Sequence, residues 1–404
     1  MMATQLAPGV HWVGAIDWKL REYRGCTLPG TTCNAYLIQG EKTALIDGAY
    51  AGFDEQILGR AASACDPGAI DCIVINHVAL DHSGRLPALI RNLPGIPIYC
   101  TEWAKSELAR RCDAGDRDIR AVRTGDTLDL GGKTLTFIEA PVFHWPDLMF
   151  TYLEEDAILF SNNVFGQHVA STARFDDQLG RDEAFAHAQK FFANLVAPHA
   201  PRILKKLDEI RKPGIEIRMI APGHGIIWRS YAGDILRAYT DWSRGASKDK
   251  VTIVYDTRYG STTLLAQAIA EGVRAEGADV RVCLLRDGRW EGTHWSDVAT
   301  EVLDSKAVLI GSPAFQNKPL PMVGGFLSYL RGLALGRLEA KKIGCAFGSH
   351  GGMGGAVARA ESALEAAGIE VIDGGFHVNY RPDAGELVQA YELGQRVVRE
   401  IHAR

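Results

Sequence analysis

Two imidazoles and a carboxylate fall close together in Asn76-His77-Val78-Ala79-Leu80-Asp81-His82-Ser83-Gly84. Histidine nitrogens and an aspartate oxygen are donors that zinc and ferrous iron accept, so His-x-x-x-Asp-His reads as part of a metal site. The competing reading is two surface histidines beside an aspartate that caps a helix. Two more histidines stand at strand ends, His144 in Ala140-Pro141-Val142-Phe143-His144-Trp145-Pro146 and His224 in Ala221-Pro222-Gly223-His224-Gly225. A second constellation carries different chemistry. Asp256-Thr257-Arg258-Tyr259-Gly260-Ser261-Thr262-Thr263 offers hydroxyls and a glycine but no lysine. Placed before a helix, those hydroxyls and the helix's free N–H groups make a cradle for a phosphate. The loop is neither a Walker A sequence nor G-x-G-x-x-G, which argues against a dinucleotide.

The elements that must hold these residues follow from periodicity. Ile70 to Ile75 is an apolar, β-branched run that reads as a buried strand delivering His77 and Asp81 into one turn, with Ser83-Gly84 opening a helix. Strands are expected at 43–47, 96–100 and 134–140, a hairpin at 148–153 and 157–160, and a last strand at 216–221. Helices are expected at 102–112, 183–195 and 203–211. Many strands in two groups with helices outside suggest a β-sandwich flanked by helices. Composition shifts at Asp241-Trp242-Ser243-Arg244-Gly245-Ala246-Ser247-Lys248-Asp249-Lys250, the expected boundary between a domain at 1–245 and another at 250–404. Beyond it, strands at 251–255, 280–285, 307–310, 343–347 and 370–372 alternate with helices, the last at 385–402. That rhythm describes a doubly wound parallel sheet.

Composition narrows the partners. A chain of 404 residues, 47% hydrophobic and 23% charged with a net charge of −5, is an ordinary globular protein with no sign of a nucleic-acid or anionic-membrane partner. No apolar run approaches a membrane span and no secretion signal opens the chain, so a cytoplasmic location is expected. Cys26, Cys33, Cys65, Cys72, Cys100, Cys112, Cys283 and Cys345 include no C-x-x-C pair, which excludes a rubredoxin-like or iron–sulfur motif and leaves free thiols.

The phosphate loop at the first βα turn of a five-stranded sheet resembles that of flavodoxin, which holds FMN. The resemblance implies two more loops against the flavin ring. They are present as Pro313, Ala314, Phe315, Gln316 and Asn317 after the third strand, and Ser349, His350, Gly351, Gly352 and Met353 after the fourth. In the N-terminal half, His77-x-x-x-Asp81-His82, then His144, then a strand ending near Asn163, then Gly223-His224-Gly225 resembles the metallo-β-lactamase fold. The two folds in this order resemble the flavodiiron (A-type flavoprotein) family over essentially the whole chain. Gly14-Ala15-Ile16-Asp17-Trp18, Gly30-Thr31-Thr32-Cys33-Asn34-Ala35-Tyr36-Leu37-Ile38 and His224-Gly225-Ile226-Ile227-Trp228-Arg229 carry the likeness further. The implied fold is α/β, a metallo-β-lactamase-like αββα sandwich followed by a flavodoxin-like doubly wound sheet. The implied activity is passage of electrons from FMN to a di-iron centre that reduces O2 or NO. An external electron donor and head-to-tail pairing of chains are implied as well.

This sequence departs from that family at its metals. The family's ligand glutamate falls at Ala79 and its bridging aspartate at Asn163, so the matching ligands that remain are His77, Asp81, His82, His144 and His224. Two divalent ions bring four positive charges into a partly dry site, which a single carboxylate cannot balance. At most one firmly bound iron or zinc is therefore expected per chain, at Asp81/His82/His224, with Asn163 offering only a neutral oxygen. His168 is expected beside the site without ligating, and Asp47 to hydrogen-bond a ligand histidine or backbone. Gly352 stands where the family usually has tryptophan. Two functions are carried forward. One is an FMN oxidoreductase acting on O2 or NO as a homodimer; the other is an electron-delivering partner in a hetero-oligomer with an intact paralogue. A hydrolase is disfavoured because hydrolysis needs no electrons.

Overall fold

The computed structural model describes residues 1–84, 86–93, 95–111, 117–141, 146–211, 215–285, 292–372 and 374–404. They form two compact units. The first comprises Met1–Tyr23, Leu28–Phe191 and Pro201–Tyr239; the second comprises Arg24–Thr27, Phe192–Ala200 and Thr240–Arg404. The segment that reads as a linker is largely structured. Helix Ala232–Arg244 runs into it and strand Lys248–Tyr255 starts within it, because Trp242 packs on Phe192 at 5.4 Å between ring centroids.

In the first unit, a seven-stranded sheet takes Thr4–Ala7, Val10–Trp12, Tyr36–Gln39, Thr43–Ile46, Cys72–Val74, Ile98–Cys100 and Ile119–Ala121 in spatial order. A five-stranded sheet takes Thr127–Asp129, Thr134–Glu139, Met149–Leu153, Ile158–Asn162 and Met219–Pro222. One apolar cluster joins them, with Trp12, Tyr36 and Val74 from the first sheet meeting Phe137, Met149 and Phe160 from the second. A second cluster lies on the other face of the larger sheet, where Leu45, Ile73 and Ile98 pack against Ala61, Leu89 and Leu108 of helices Asp54–Ala64, Leu86–Asn92 and Glu102–Arg111. Strands buried on both faces explain the unbroken apolar run at 72–75. The β-sandwich expected from the two groups of strands is the observed architecture.

In the second unit the sheet order is Asp279–Leu284, Lys248–Tyr255, Ser305–Gly311, Ile343–His350 and Glu370–Val371, every neighbour parallel. This is the doubly wound order with the switch point beside the first strand, where ligands bind. Phe376–Asn379 adds a further parallel pairing to Ile343–His350 that the sequence pattern does not announce.

Helices Ser261–Ala275 and Ala384–His402 cross at backbone distance. A Cβ on Gly272 would lie 1.9 Å from the Tyr391 carbonyl oxygen, and one on Gly394 would lie 2.2 Å from that of Ile269. Gly272→Ala is expected to destabilise this unit by about 3 kcal/mol through overpacking that neither backbone can relieve. Its melting transition should fall by roughly 6–12 °C. An unchanged transition in calorimetry would refute the close crossing.

Candidate functional site

Strand Cys72–Val74 ends at Asn76-His77, and the chain turns at Ala79 into the short helix Leu80–Ser83. Asp81 and His82 therefore sit in the first helical turn rather than in a loop before it, and Gly84 closes the helix instead of opening one. A Cβ on Gly84 would lie 2.4 Å from the Leu80 carbonyl oxygen, so the close approach at this C-cap requires glycine.

Three strand ends are tied together behind this turn by Asp47. Its carboxylate accepts from the backbone N–H of Asn76 at 2.8 Å, the Asn76 side chain at 3.1 Å and the Asn162 side chain at 3.1 Å. Burial pushes the Asp47 carboxyl up to about 6, against the opposing pull of those asparagine hydrogen bonds and of His77. Asp47 bonds backbone and amide groups, not an imidazole. That role falls to Asp147, whose carboxylate accepts from His77 Nδ1 at 3.0 Å and from the Val78 N–H at 2.8 Å. Burial alone would raise the Asp147 carboxyl, but the His77 and Val78 hydrogen bonds hold it below its usual value. A carboxylate can only accept here, so His77 carries its proton on Nδ1 and presents the Nε2 lone pair.

His224 is oriented in the same way by a different partner. Its Nδ1 donates to the Thr32 carbonyl at 2.6 Å, leaving Nε2 3.1 Å from Asp81 Oδ2. His82 Nε2 lies 3.7 Å from that same oxygen and 3.1 Å from Asn163 Oδ1. The donor atoms of Asp81, His82 and His224 thus lie within 4.8 Å of one another, all three side chains buried. Burial, with the neighbouring His224 and His77, pulls His82 down to about 3 against the opposing Asp81. A neutral imidazole is the ligating form. Two imidazole nitrogens and one carboxylate oxygen converging on a point fit a single tetrahedral or open ferrous or zinc ion.

The other expected site residues fall around this cluster. Asn163 reaches it only through an amide oxygen, and Ala79 contributes a buried methyl. His168 stands outside it, with its ring 4.9 Å from that of His224 and Nδ1 2.9 Å from the Thr31 hydroxyl. His144 lies outside the described residues. Asp147 and Thr32 went unread in the sequence. Asp147 stands three residues beyond His144, a spacing that marks a supporting carboxylate, whereas nothing local singles out a backbone carbonyl 192 positions from its histidine.

In the second unit, Thr257, Arg258, Tyr259, Gly260, Ser261, Leu264, Pro313, Ala314, Ser349, His350, Gly351, Tyr380 and Arg381 line a cavity of about 520 Å³. Ten of these residues are expected cofactor contacts; Leu264, Tyr380 and Arg381 are additions that only the fold supplies. Among the described residues the lining carries two arginines and no carboxylate, which suits an anion. Gly260, in the left-handed region at φ 86°, turns the chain into helix Ser261–Ala275. The Gly260 N–H is held by the Thr257 hydroxyl at 3.1 Å, and Thr262 is fully buried with a hydroxyl that has no hydrogen-bond partner among the described residues. The free N–H groups of this helix N-terminus, with the Thr257 and Ser261 side chains in the lining, suit a phosphate.

Thr262, Thr263, Phe315, Gln316, Asn317, Gly352 and Met353 do not line the cavity. Gln316 and Asn317, with φ of 49° and 61°, form the turn that closes between Phe315 and Lys318. Asn317 Oδ1 accepts from the Gly355 N–H at 2.7 Å, and Phe315 lies under the Arg258 guanidinium at 5.1 Å. These residues shape the loops.

A metallo-β-lactamase-type sandwich and a flavodoxin-type sheet in one chain define a two-module redox protein. Residues 31–225 match the family described as ODP family beta lactamase, and residues 253–394 match Flavodoxin. The chain is 45% identical to a coenzyme F420H(2) oxidase of Methanocaldococcus jannaschii, over 98% of this chain and 97% of that one. It is 41% identical to a nitric oxide reductase of Moorella thermoacetica, over 98% of each. The solved flavodiiron protein of Giardia intestinalis superposes with a TM-score of 0.94 at 31% identity, covering 100% of this chain and 97% of that one. The chain belongs to the flavodiiron protein family. Among the described residues, no helix is long and apolar enough to cross a membrane.

Proposed function

We propose that this protein is an FMN-dependent oxidoreductase whose flavin, held by residues 257–263 and the two ring loops, passes electrons from an external donor to a one-metal site or to O2. The substrates are O2 or NO, in keeping with relatives named as an oxidase and a nitric oxide reductase. The observation that carries the reading is the buried Asp81/His82/His224 cluster, which among the described residues brings together donors for one ion. Iron or zinc there would supply a Lewis-acidic or redox-active centre. The protein's own part is to hold three lone pairs toward one point. Thr32 and Asp147 fix the imidazole tautomers, and burial keeps His82 neutral. His144 is the remaining ligand candidate, with His77, for a weaker position. The FMN phosphate would lie on Thr257 and Ser261 at the helix N-terminus. We assign residues 1–245 to the metal unit and 250–404 to the flavin unit, in a cytoplasmic protein that works as a head-to-tail homodimer.

Ala79 and Asn163 favour a second reading, in which the chain delivers electrons to an intact paralogue within a hetero-oligomer. The deciding experiment is metal analysis of purified protein together with O2 and NO consumption after chemical reduction of the flavin. About one metal per chain with turnover supports the first reading. No turnover alone, with recovery on adding a flavodiiron protein that retains all three carboxylates, supports the second. Two full metals per chain would refute the ligand count.

A further inference from the structure

Resting on the reading of the 520 Å³ cavity as the flavin site, we infer that Tyr380 supplies the aromatic surface against which the flavin ring packs. Within residues 349–353 the one aromatic lining the cavity is the small imidazole of His350, whose Nε2 is engaged 3.0 Å from His377 Nδ1. Gly352 stands at φ 147° with nothing within 4 Å of the place a Cβ would take, and Met353 beside it points into solvent and does not line the cavity. Tyr380 comes from outside that loop, from the end of strand Phe376–Asn379, and does line the cavity.

Three features separate Tyr380 from an incidental surface residue. The residue is 72% exposed although it carries a large aromatic ring. Its backbone is held at φ 53°, a conformation that is strained for a tyrosine and for which asparagine or glycine is better suited. It is also anchored to the ring loop at both ends. Its N–H donates to the His350 carbonyl at 2.9 Å and its hydroxyl to the Gly351 carbonyl at 3.4 Å. Gly351 permits this approach, since a Cβ there would lie 3.0 Å from Tyr380 Cε1. Strain in an exposed aromatic persists when something outside the fold selects it. Arg381, next in the chain, lines the same cavity and adds positive charge beside the aromatic face. Parallel pairing of Phe376–Asn379 with Ile343–His350 is what brings both residues to the loop.

The test is titration of the full-length apoprotein with FMN, reading flavin fluorescence, alongside thermal melts without FMN. Tyr380→Asn should melt at the same temperature as wild type or higher, because the left-handed strain is relieved. It should bind FMN about five- to tenfold more weakly, the loss expected for one aromatic stack, and quench its emission less. Tyr380→Phe should retain affinity and most of the quenching. Tyr259→Leu, at the cavity's other tyrosine, should lose less affinity and less quenching than Tyr380→Asn. Unchanged FMN affinity and quenching in Tyr380→Asn would overturn the inference while leaving the flavin reading intact, as would a larger loss in Tyr259→Leu. Failure of the wild-type chain to bind FMN would instead remove the reading on which the inference rests.

Discussion

Ala79→Glu combined with Asn163→Asp is expected to raise the iron content of reconstituted protein from about one to about two ions per chain, because the pair of substitutions adds the anionic ligands that a second divalent ion requires. The cluster as it stands has one carboxylate, Asp81, facing His82 and His224. A second divalent ion would rest on imidazoles and the neutral Asn163 oxygen, already 3.1 Å from His82. In a buried site, such uncompensated charge is costly by several kcal/mol. Adding two carboxylates supplies the missing charge, and Asn163→Asp places one of them where an amide oxygen already reaches the cluster. Turnover with O2 or NO should rise by about tenfold or more if paired irons are what the wild type lacks. Each single substitution should fall short of the pair, since each restores only one anionic donor. Wild-type protein carrying two fully occupied irons would end the argument, as would a double variant with unchanged metal content.

Gly225→Ala is expected to abolish tight metal binding without touching a ligand. Gly225 adopts φ 85°, and a Cβ there would lie 2.1 Å from Gln167 Oε1 and 2.6 Å from the Gln167 carbonyl oxygen. Gln167 cannot withdraw freely, since its Oε1 accepts from the Ile226 N–H at 2.8 Å and its amide donates to the Phe165 carbonyl at 2.8 Å. The backbone must shift, and His224 shifts with it. Gly223 is constrained from the other side, where a Cβ would lie 2.6 Å from His82 Cε1. Misplacing a ligand by this route should weaken metal affinity by about 100-fold, at the upper end of what loss of a ligand's support produces. Competition against a chelator would measure it. Gly180→Ala separates strain from displacement. Gly180 has φ 100° but nothing within 4 Å of its Cβ position. That variant should lose about 1 kcal/mol of stability and keep its metal affinity. Equal metal loss in both variants would show that general destabilisation, not His224, is responsible.

Much of the architecture was legible because periodicity reports burial. The run at 72–75 reads as a buried strand whether or not its neighbours are known, and strand–helix alternation after residue 250 admits few topologies other than a doubly wound sheet. Helix ends at Ser261 and Ala384 lay within a residue of expectation, since a φ-positive Gly260 and an Asp383–Glu386 capping box are local signals. Helix 183–195 was less regular than its pattern. Its end, Phe192–Val196, relaxes into a π-helical turn within the second unit, which no local signal marks.

By itself, the sequence determined which donors exist: His77, Asp81, His82 and His224 at strand ends, a lysine-free phosphate loop, and the absence of two carboxylates. Donor type is a property of single residues and needs no fold to be read. Only the tertiary structure decided how those donors point. Thr32 orients His224, Asp147 orients His77, Asp47 clamps Asn76 to Asn162, and Phe376–Asn379 carries Tyr380 to the ring loop. Each is a hydrogen bond or pairing between residues distant in the chain. Such contacts form because buried polar groups must find partners somewhere, and packing of the whole sheet, not local sequence, determines which partner is within reach.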